Sequence, residues 1–354
     1  MRLAAVLTAC LSLASHGAPL YQESFETGLA GWQAFAGKGS IATQGEHEQR
    51  PEVLCGSYTL SEKLFALGAP LGVSVAGGRS LRFWLRTDHQ ALIIAGLTEA
   101  DGSGYGALVV SEPNRWQEVN LSFDRLRLQQ DQQDENGRLD PEQVAMAGIV
   151  DISGVLGDVI PATPGPRQLW VDAFSIDDDQ APNGYSATGE LPYLLDTFDG
   201  GPLTWLAVQG EVLLQDGRLA WSYPGAGPQE DRFAAMVGAL GQLPAQGAHH
   251  LLLTVSSTRP LQLLVVLQEE ARDGRDESRY LKLVDVPGGE VPQTIAITLD
   301  ELTLDTHDGG GDENGRMDLE QVATLILGDL GAIAGQSPGP NTLFVDEIQL
   351  VGEG

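Results

Sequence analysis

The sequence states one domain twice. The stretch DENGRLDPEQVA (Asp134 to Ala145) returns as DENGRMDLEQVA (Asp312 to Ala323), with ten of twelve positions identical at an offset of 178. Downstream, TPGPRQLWVD (Thr163 to Asp172) returns as SPGPNTLFVD (Ser337 to Asp346), six of ten identical at an offset of 174. Near the front of each copy stands the pattern acid-x-Phe-acid: Glu23, Phe25 and Glu26 in the first, Asp196, Phe198 and Asp199 in the second. Trp32 and Trp205 follow in the same frame. Matched landmarks in one order, with slightly drifting offsets, require two copies of one fold whose loops have changed length. A chain of 354 residues independently asks for two domains of about 150 residues each.

Residues 1–18 read as an export signal: Arg2 supplies the charged start, Leu3 to Ala14 an apolar run, and Ser15, Gly17 and Ala18 the small residues. At roughly a dozen residues the run is too short to span a bilayer, and nothing later is long and apolar enough, so no membrane insertion is expected. A second reading takes Leu7-Thr8-Ala9-Cys10 as a lipoprotein box with a lipid on Cys10. Cleavage near Ala18 leaves Cys55 alone, which excludes a disulfide framework and makes Cys55 a small buried apolar residue. The formal charge is −29, a surface that repels nucleic acid and anionic membranes and suits solubility outside the cell or the holding of calcium. A secreted, periplasmic or cell-surface monomer is expected, with a lipoprotein as the alternative.

Neither copy carries a long apolar pattern of helical period. Short alternating runs bounded by Gly, Pro, Asn and Asp predict strands instead. In the first copy these are residues 81–86, 91–97, 105–110, 116–123 and 169–176; in the second, 251–255, 261–267, 280–284, 294–299 and 343–350. The expected fold is all-β, two tandem antiparallel β-sandwiches of the jelly-roll kind, over 19–178 and 192–354. The polar, Pro- and Gly-bearing segment 179–191 reads as the linker.

DENGR invites comparison with a calcium-binding EF-hand loop, with Asp134, Asn136 and Asp140 on oxygen-ligand positions. The first and last positions of such a loop fall on Gln132 and Gln143, which removes most of its affinity. A structural account fits better: an Asn-Gly turn feeding one helical turn, with Asp140 and Gln143, and again Asp318 and Gln321, as capping boxes. The stronger metal candidates are the acids at the two ends of each copy. If first and last strands pair, Glu26 meets Asp172 and Asp199 meets Asp346 as hard oxygen ligands for a structural calcium.

The acid-x-Phe-acid and Trp front, the run of short strands and the closing aromatic-Val-Asp strand resemble the galactose-binding-like fold. Within it the likeness is to family 11 carbohydrate-binding modules and the related complex I intermediate-associated domain. That resemblance implies the same calcium through Glu26, Asp172, Asp199 and Asp346, although Asp172 is followed by Ala173 where many such modules carry a second acid. It also implies a sheet face on which aromatic rings stack on sugars. In LRFWLR, Leu81, Phe83 and Leu85 point one way and Arg82, Trp84 and Arg86 the other, which makes these three, with Tyr105, the candidate glycan site. The matching face in the second copy carries Leu252, Thr254 and Ser256, so a platform there would need Gln262, Tyr280 and Lys282. Trp32, Trp116, Trp170, Trp205 and Trp221 are assigned to core or rim packing. Scattered histidines and the lack of a nucleophile elbow, HExxH or phosphate loop argue against an enzyme, and the acidic cluster Glu269, Glu270, Asp273, Asp276, Glu277 is assigned to solvent. A non-catalytic glycan-binding tandem is the reading, and a structural or protein-interaction protein of the cell surface the alternative.

Overall fold

The computed structural model describes residues 18–47, 50–60, 64–129, 132–155, 165–179, 191–198, 204–225, 233–244, 247–271, 277–306, 315–336 and 339–353. Residues 1–17 with Cys10, expected as a leader, residues 180–190 of the expected linker, Asp199 and Asp312 lie outside them. No helix among the described residues is long and apolar enough to cross a membrane.

The first copy runs through β1 (Tyr21–Glu23), β2 (Gln33–Ala36), β3 (Gly39–His47), β4 (Arg50–Thr59), β5 (Phe65–Pro70), β6 (Ser80–Thr87), β7 (Ala91–Glu99), β8 (Gly104–Ser111), β9 (Gln117–Ser122), β10 (Arg127–Leu128), β11 (Val144–Asp151) and β12 (Pro166–Asp177). The second runs through β13 (Tyr193–Asp196), β14 (Trp205–Ala207), β15 (Glu211–Gln215), β16 (Arg218–Tyr223), β17 (Ala235–Ala239), β18 (His250–Ser257), β19 (Leu261–Glu269), β20 (Arg279–Val286), β21 (Gly289–Thr298), β22 (Thr303–Leu304), β23 (Val322–Asp329) and β24 (Asn341–Val351). One sheet of the first copy has the order β3-β4-β12-β6-β9 with β1 beside β12, and the other β10-β8-β7-β11-β5-β2. The second copy repeats both orders strand for strand, β15-β16-β24-β18-β21 with β13 beside β24, and β22-β20-β19-β23-β17-β14. The protein is all-β: two antiparallel sandwiches of identical topology. In each, the first strand pairs with the last, as Glu23 with Phe174 and Leu194 with Gln349 show.

Alternation decides which face is core. Along β6, Leu81, Phe83 and Leu85 are fully buried while Arg82 and Trp84 are half-buried on the far side. In β18, Leu251, Leu253 and Val255 go inward in the same way. All ten strands expected from alternation are present. The expected runs do not include β1 to β5, β10, β11, β13 to β17, β22 and β23, most of them short or interrupted by Gly, polar residues and small Ala. Register across the sheets, rather than local alternation, keeps those segments extended.

The recurrent front motif is a turn. Glu23 Oε1 accepts the Phe25 N–H at 2.8 Å, and Asp196 Oδ1 accepts the Phe198 N–H at 3.0 Å. Each Phe sits in the left-handed region, φ 61° and 57°, a conformation costly for a bulky residue and held here by the acid and by burial. The rings pack against Trp32 and Trp205, with centroids 5.7 and 6.1 Å apart.

The DENGR turn is also structural, with one correction. Gly137 and Gly315 take φ 64° and 65° as an Asn-Gly turn demands, and a helical turn follows. The capping box is not made. Gln143 and Gln321 donate through Nε2 to the carboxylates of Asp140 and Asp318, while the N–H groups of those two Asp residues donate to Glu99 and Glu269 from a neighbouring strand end. Glu269, expected in solvent, is therefore buried; Asp273 and Asp276 fall outside the described residues.

The copies meet through two arginines that follow β9. Arg125, 3% exposed, donates to Thr204 Oγ1 at 3.0 Å and to the Leu195 carbonyl at 2.8 Å, and reaches Asp196 Oδ2 at 3.2 Å. Arg127 donates to the carbonyls of Gly241 and Val322 at 2.9 and 2.8 Å and to Glu270 at 2.8 Å. Beside them Leu206 of the second copy closes on Leu92 and Val110 of the first. Their counterparts in the second copy are Glu301 and Thr303, so the junction is built in one direction only.

Candidate functional site

The far side of the β3-β4-β12-β6-β9 sheet gathers three tryptophans. Trp84 on β6 lies opposite Asp172 on β12 and Glu118 on β9. Trp170 on β12 lies between Cys55 and Arg86. Trp116, just before β9, packs with Trp170, Val53 and Cys55 in a small apolar cluster separate from the core. The Arg50 guanidinium stands over Trp84 at 4.4 Å and over Trp116 at 5.0 Å, and Arg86 over Trp170 at 5.2 Å. Cation–π contacts of this kind contribute about 0.5 to 2 kcal/mol, more as water is excluded.

Polar partners fix these groups. Arg50 also donates to Asp172, Trp170 Nε1 donates to Gln44 at 3.1 Å, and Arg82 lies 3.6 Å from Asp177. Trp116 Nε1 is buried with no acceptor. The outcome is a face of indole rings and guanidinium groups held in one arrangement, in which half-buried Trp84 and Trp116 can meet an apolar ring face and Trp170 lies buried under Arg86.

Arg82, Trp84 and Arg86 thus share one face. Tyr105 does not join them: it lies in the other sheet with its ring in the core, and its hydroxyl donates to Asp134 at 2.8 Å. Burial, the hydrogen bond to Asp134 and that carboxylate's charge push its hydroxyl well above the usual phenol range. In the second copy Tyr280 is likewise in the core, and Lys282, two residues along the same strand, pairs with Glu301. Gln262 lies across from Asp285, on the opposite side of β20 from Tyr280 and Lys282. Those three build no common platform. Arg50, Trp116 and Trp170 were not among the sequence candidates, because only strand register brings β4 and β9 to Trp84.

Of the acids named for calcium at the chain ends, Asp199 lies outside the described residues, and the surroundings of the other three do not favour an ion. Asp172 is paired with Arg50 and accepts its neighbour's N–H, Glu26 is exposed, and Asp346 lies 3.8 Å from Arg218. A guanidinium stands by the closing Asp in both copies, where a cation would need the carboxylate. Among the described residues, the three carboxylates close enough to share an ion are Glu99, Asp101 and Asp134.

The chain matches no protein-family model and no curated protein. Among solved structures it is similar to a family 11 carbohydrate-binding module from Clostridium thermocellum in complex with a β-1,3-1,4-mixed-linked tetrasaccharide. The identity is 13% over 45% of this chain and 96% of that one, at a TM-score of 0.36. It is also similar to the N-terminal CBM22-1-CBM22-2 tandem domain of Paenibacillus barcinonensis Xyn10C, 13% identical over 96% of this chain and 99% of that one, at a TM-score of 0.32. Likenesses of this size add nothing to what the sheets themselves establish.

Proposed function

We propose that this is an exported, non-catalytic protein whose first copy holds a glycan against the face of Trp84 and Trp116, with buried Trp170 packed beneath it. One observation carries the reading: two indole rings, one on β6 and one just before β9, share the single guanidinium of Arg50 on a sheet face turned away from the core. Sandwich cores ordinarily take in such rings, as they do Trp32, Trp205 and Trp221 here. Holding them outside, oriented by arginines, costs burial and suits stacking on a pyranose with donors to its hydroxyls. The second copy has Phe344 under Arg218 at 4.9 Å in the corresponding sheet, and no Trp beside it, so its part is to support the first. Export rests on the leader pattern and on the acidic surface.

Retention of the full chain in gels containing insoluble or soluble polysaccharides tests this. Trp84→Ala should weaken retention about fivefold or more, the loss of one stacked ring, and Arg218→Ala should leave it unchanged. If the native protein is retained by no polysaccharide, or Trp84→Ala migrates as the native chain does, the reading is wrong.

A further inference from the structure

Glu99 ends β7, Asp101 sits in the turn to β8, and Asp134 lies in the 132–140 loop. Each offers a carboxylate oxygen within 4.8 Å of the other two. Ligands on opposite sides of a calcium ion, at about 2.4 Å each, stand at most about 4.8 Å apart, so one ion can bridge all three.

A second observation points to a cation. Glu99 is 2% exposed, its Oε1 accepts the Asp140 N–H at 2.6 Å, and its Oε2 is buried without a hydrogen-bond partner. A buried, unpaired carboxylate oxygen is expensive unless a cation or a proton meets it. Burial pushes the Glu99 carboxyl up against the lowering effect of the Asp140 N–H, and the charges of Asp134, Asp140 and Asp101 push it further. Among the described residues no basic side chain pairs with Glu99, Asp101 or Asp134.

The surrounding bonds hold the three acids in place. The Ser103 N–H donates to Asp101 at 2.8 Å, the Tyr105 hydroxyl to Asp134 at 2.8 Å, and Ser103 Oγ to the Gln133 carbonyl at 3.2 Å. The Gly104 N–H donates to the Gln132 side chain. Hairpin and loop are thus tied together around the carboxylates.

We propose that Glu99, Asp101 and Asp134 bind one hard divalent cation of the calcium class, with water completing its shell, and that the ion fastens the 132–140 loop to the β7–β8 hairpin. In the second copy Glu269 repeats Glu99, down to the bond from the Asp318 N–H; the acids Asp273, Asp276 and Asp312 of the matching turn and loop lie outside the described residues. The inference is independent of the glycan reading.

Calcium titrated calorimetrically into the intact chain at physiological ionic strength tests it, with Asp101→Ala and Glu26→Gln as variants. Asp101 is exposed, so its replacement leaves the fold intact. The native chain and Glu26→Gln should take up calcium alike, and Asp101→Ala should lose one equivalent or bind it about tenfold more weakly, one of three anionic ligands being gone. The proposal is overturned if the native chain takes up no calcium at millimolar concentration. It is also overturned if Asp101→Ala binds as the native chain does, or if Glu26→Gln abolishes uptake.

Discussion

Arg259 stands in the second copy where His89 stands in the first, and each reaches the buried Asp that ends the matching strand. His89 Nε2 lies 3.3 Å from Asp151 Oδ2, and Arg259 donates to Asp329 Oδ2 at 2.6 Å. A tyrosine completes each group: Tyr58 donates to Asp151 and Tyr223 to Asp329, the latter at 2.8 Å. Both acids are 1% exposed. The two copies therefore solve one electrostatic problem, a carboxylate inside a sandwich, with a histidine partner in one and a guanidinium in the other.

The first copy should be the acid-sensitive one. Burial raises the Asp151 carboxyl, but hydrogen bonds from His89, Ser153 and Tyr58 outweigh it and hold the group below the usual carboxylate range. A depressed folded value means the stabilisation is complete above the unfolded Asp value of about 3.9 and disappears as pH falls from there through the folded value. Denaturant unfolding across pH 2 to 6 should show first-copy stability falling by up to about 1.4 kcal/mol per pH unit for this one proton. Asp151→Asn should flatten that acid limb while lowering stability at neutral pH. An acid limb of the same slope in Asp151→Asn would assign it to other carboxylates.

Arg259→Ala should be the most destabilising single change in the second copy's polar network. It leaves Asp329 buried with its charge uncompensated, a loss of about 3 to 5 kcal/mol. Tyr223→Phe removes one donor of several and should cost about 1 to 3 kcal/mol. Equilibrium unfolding of the two variants should rank them in that order.

Asp196 carries two tasks, of which its counterpart Glu23 shares only the first. Its Oδ1 holds the Phe198 turn and its Oδ2 meets Arg125 across the junction between copies. Asp196→Ala should therefore lose the turn and the junction together, whereas Glu23→Ala loses a turn alone. With Arg125→Ala it should give a coupling energy of about 1 kcal/mol or more in a double-mutant cycle. Calorimetry should show Arg125→Ala separating one unfolding transition into two; additive losses and an unsplit transition would mean that the apolar contact of Leu206 holds the copies instead.

How much of this was legible in the sequence depends on range. The doubling, the inward face of LRFWLR and the pairing of first with last strands follow from periods and repeats, and the structure has all three. The acid-x-Phe-acid motif pointed to a metal. The acids expected at that metal are the motif's second ones, Glu26 and Asp199, while its first acid holds a backbone turn, and a two-residue bond from Glu23 to the Phe25 N–H looks in sequence like any other spaced acid. Trp116 and Arg50 joined Trp84 only through register across three strands, which no local pattern encodes. Glu99 and Asp134 likewise lie 35 positions apart in sequence and meet because a hairpin turn and a long loop close on each other. Tyr105 was placed on the wrong sheet because alternation assigns a residue to a face of its own strand and says nothing of which sheet that strand enters.

Cys55 should resist thiol reagents in the folded protein. It is 5% exposed and packed with Val53 and Trp170 on the far side of the sheet. Burial pushes its thiol up, the bond with Ser57 works against that, and the negative charge of Asp88 adds to it. Since only the thiolate attacks, both access and ionisation are cut. Alkylation at pH 8 should proceed at a rate set by opening of the sheet, and denaturant should restore the rate of a free cysteine. Because Trp170 shields the thiol, Trp170→Ala should speed native-state alkylation while Trp32→Ala in the main core should do so only as far as it lowers global stability. Equal acceleration by both, at matched stability, would show that Cys55 is exposed by global unfolding rather than by the local packing of the tryptophan face.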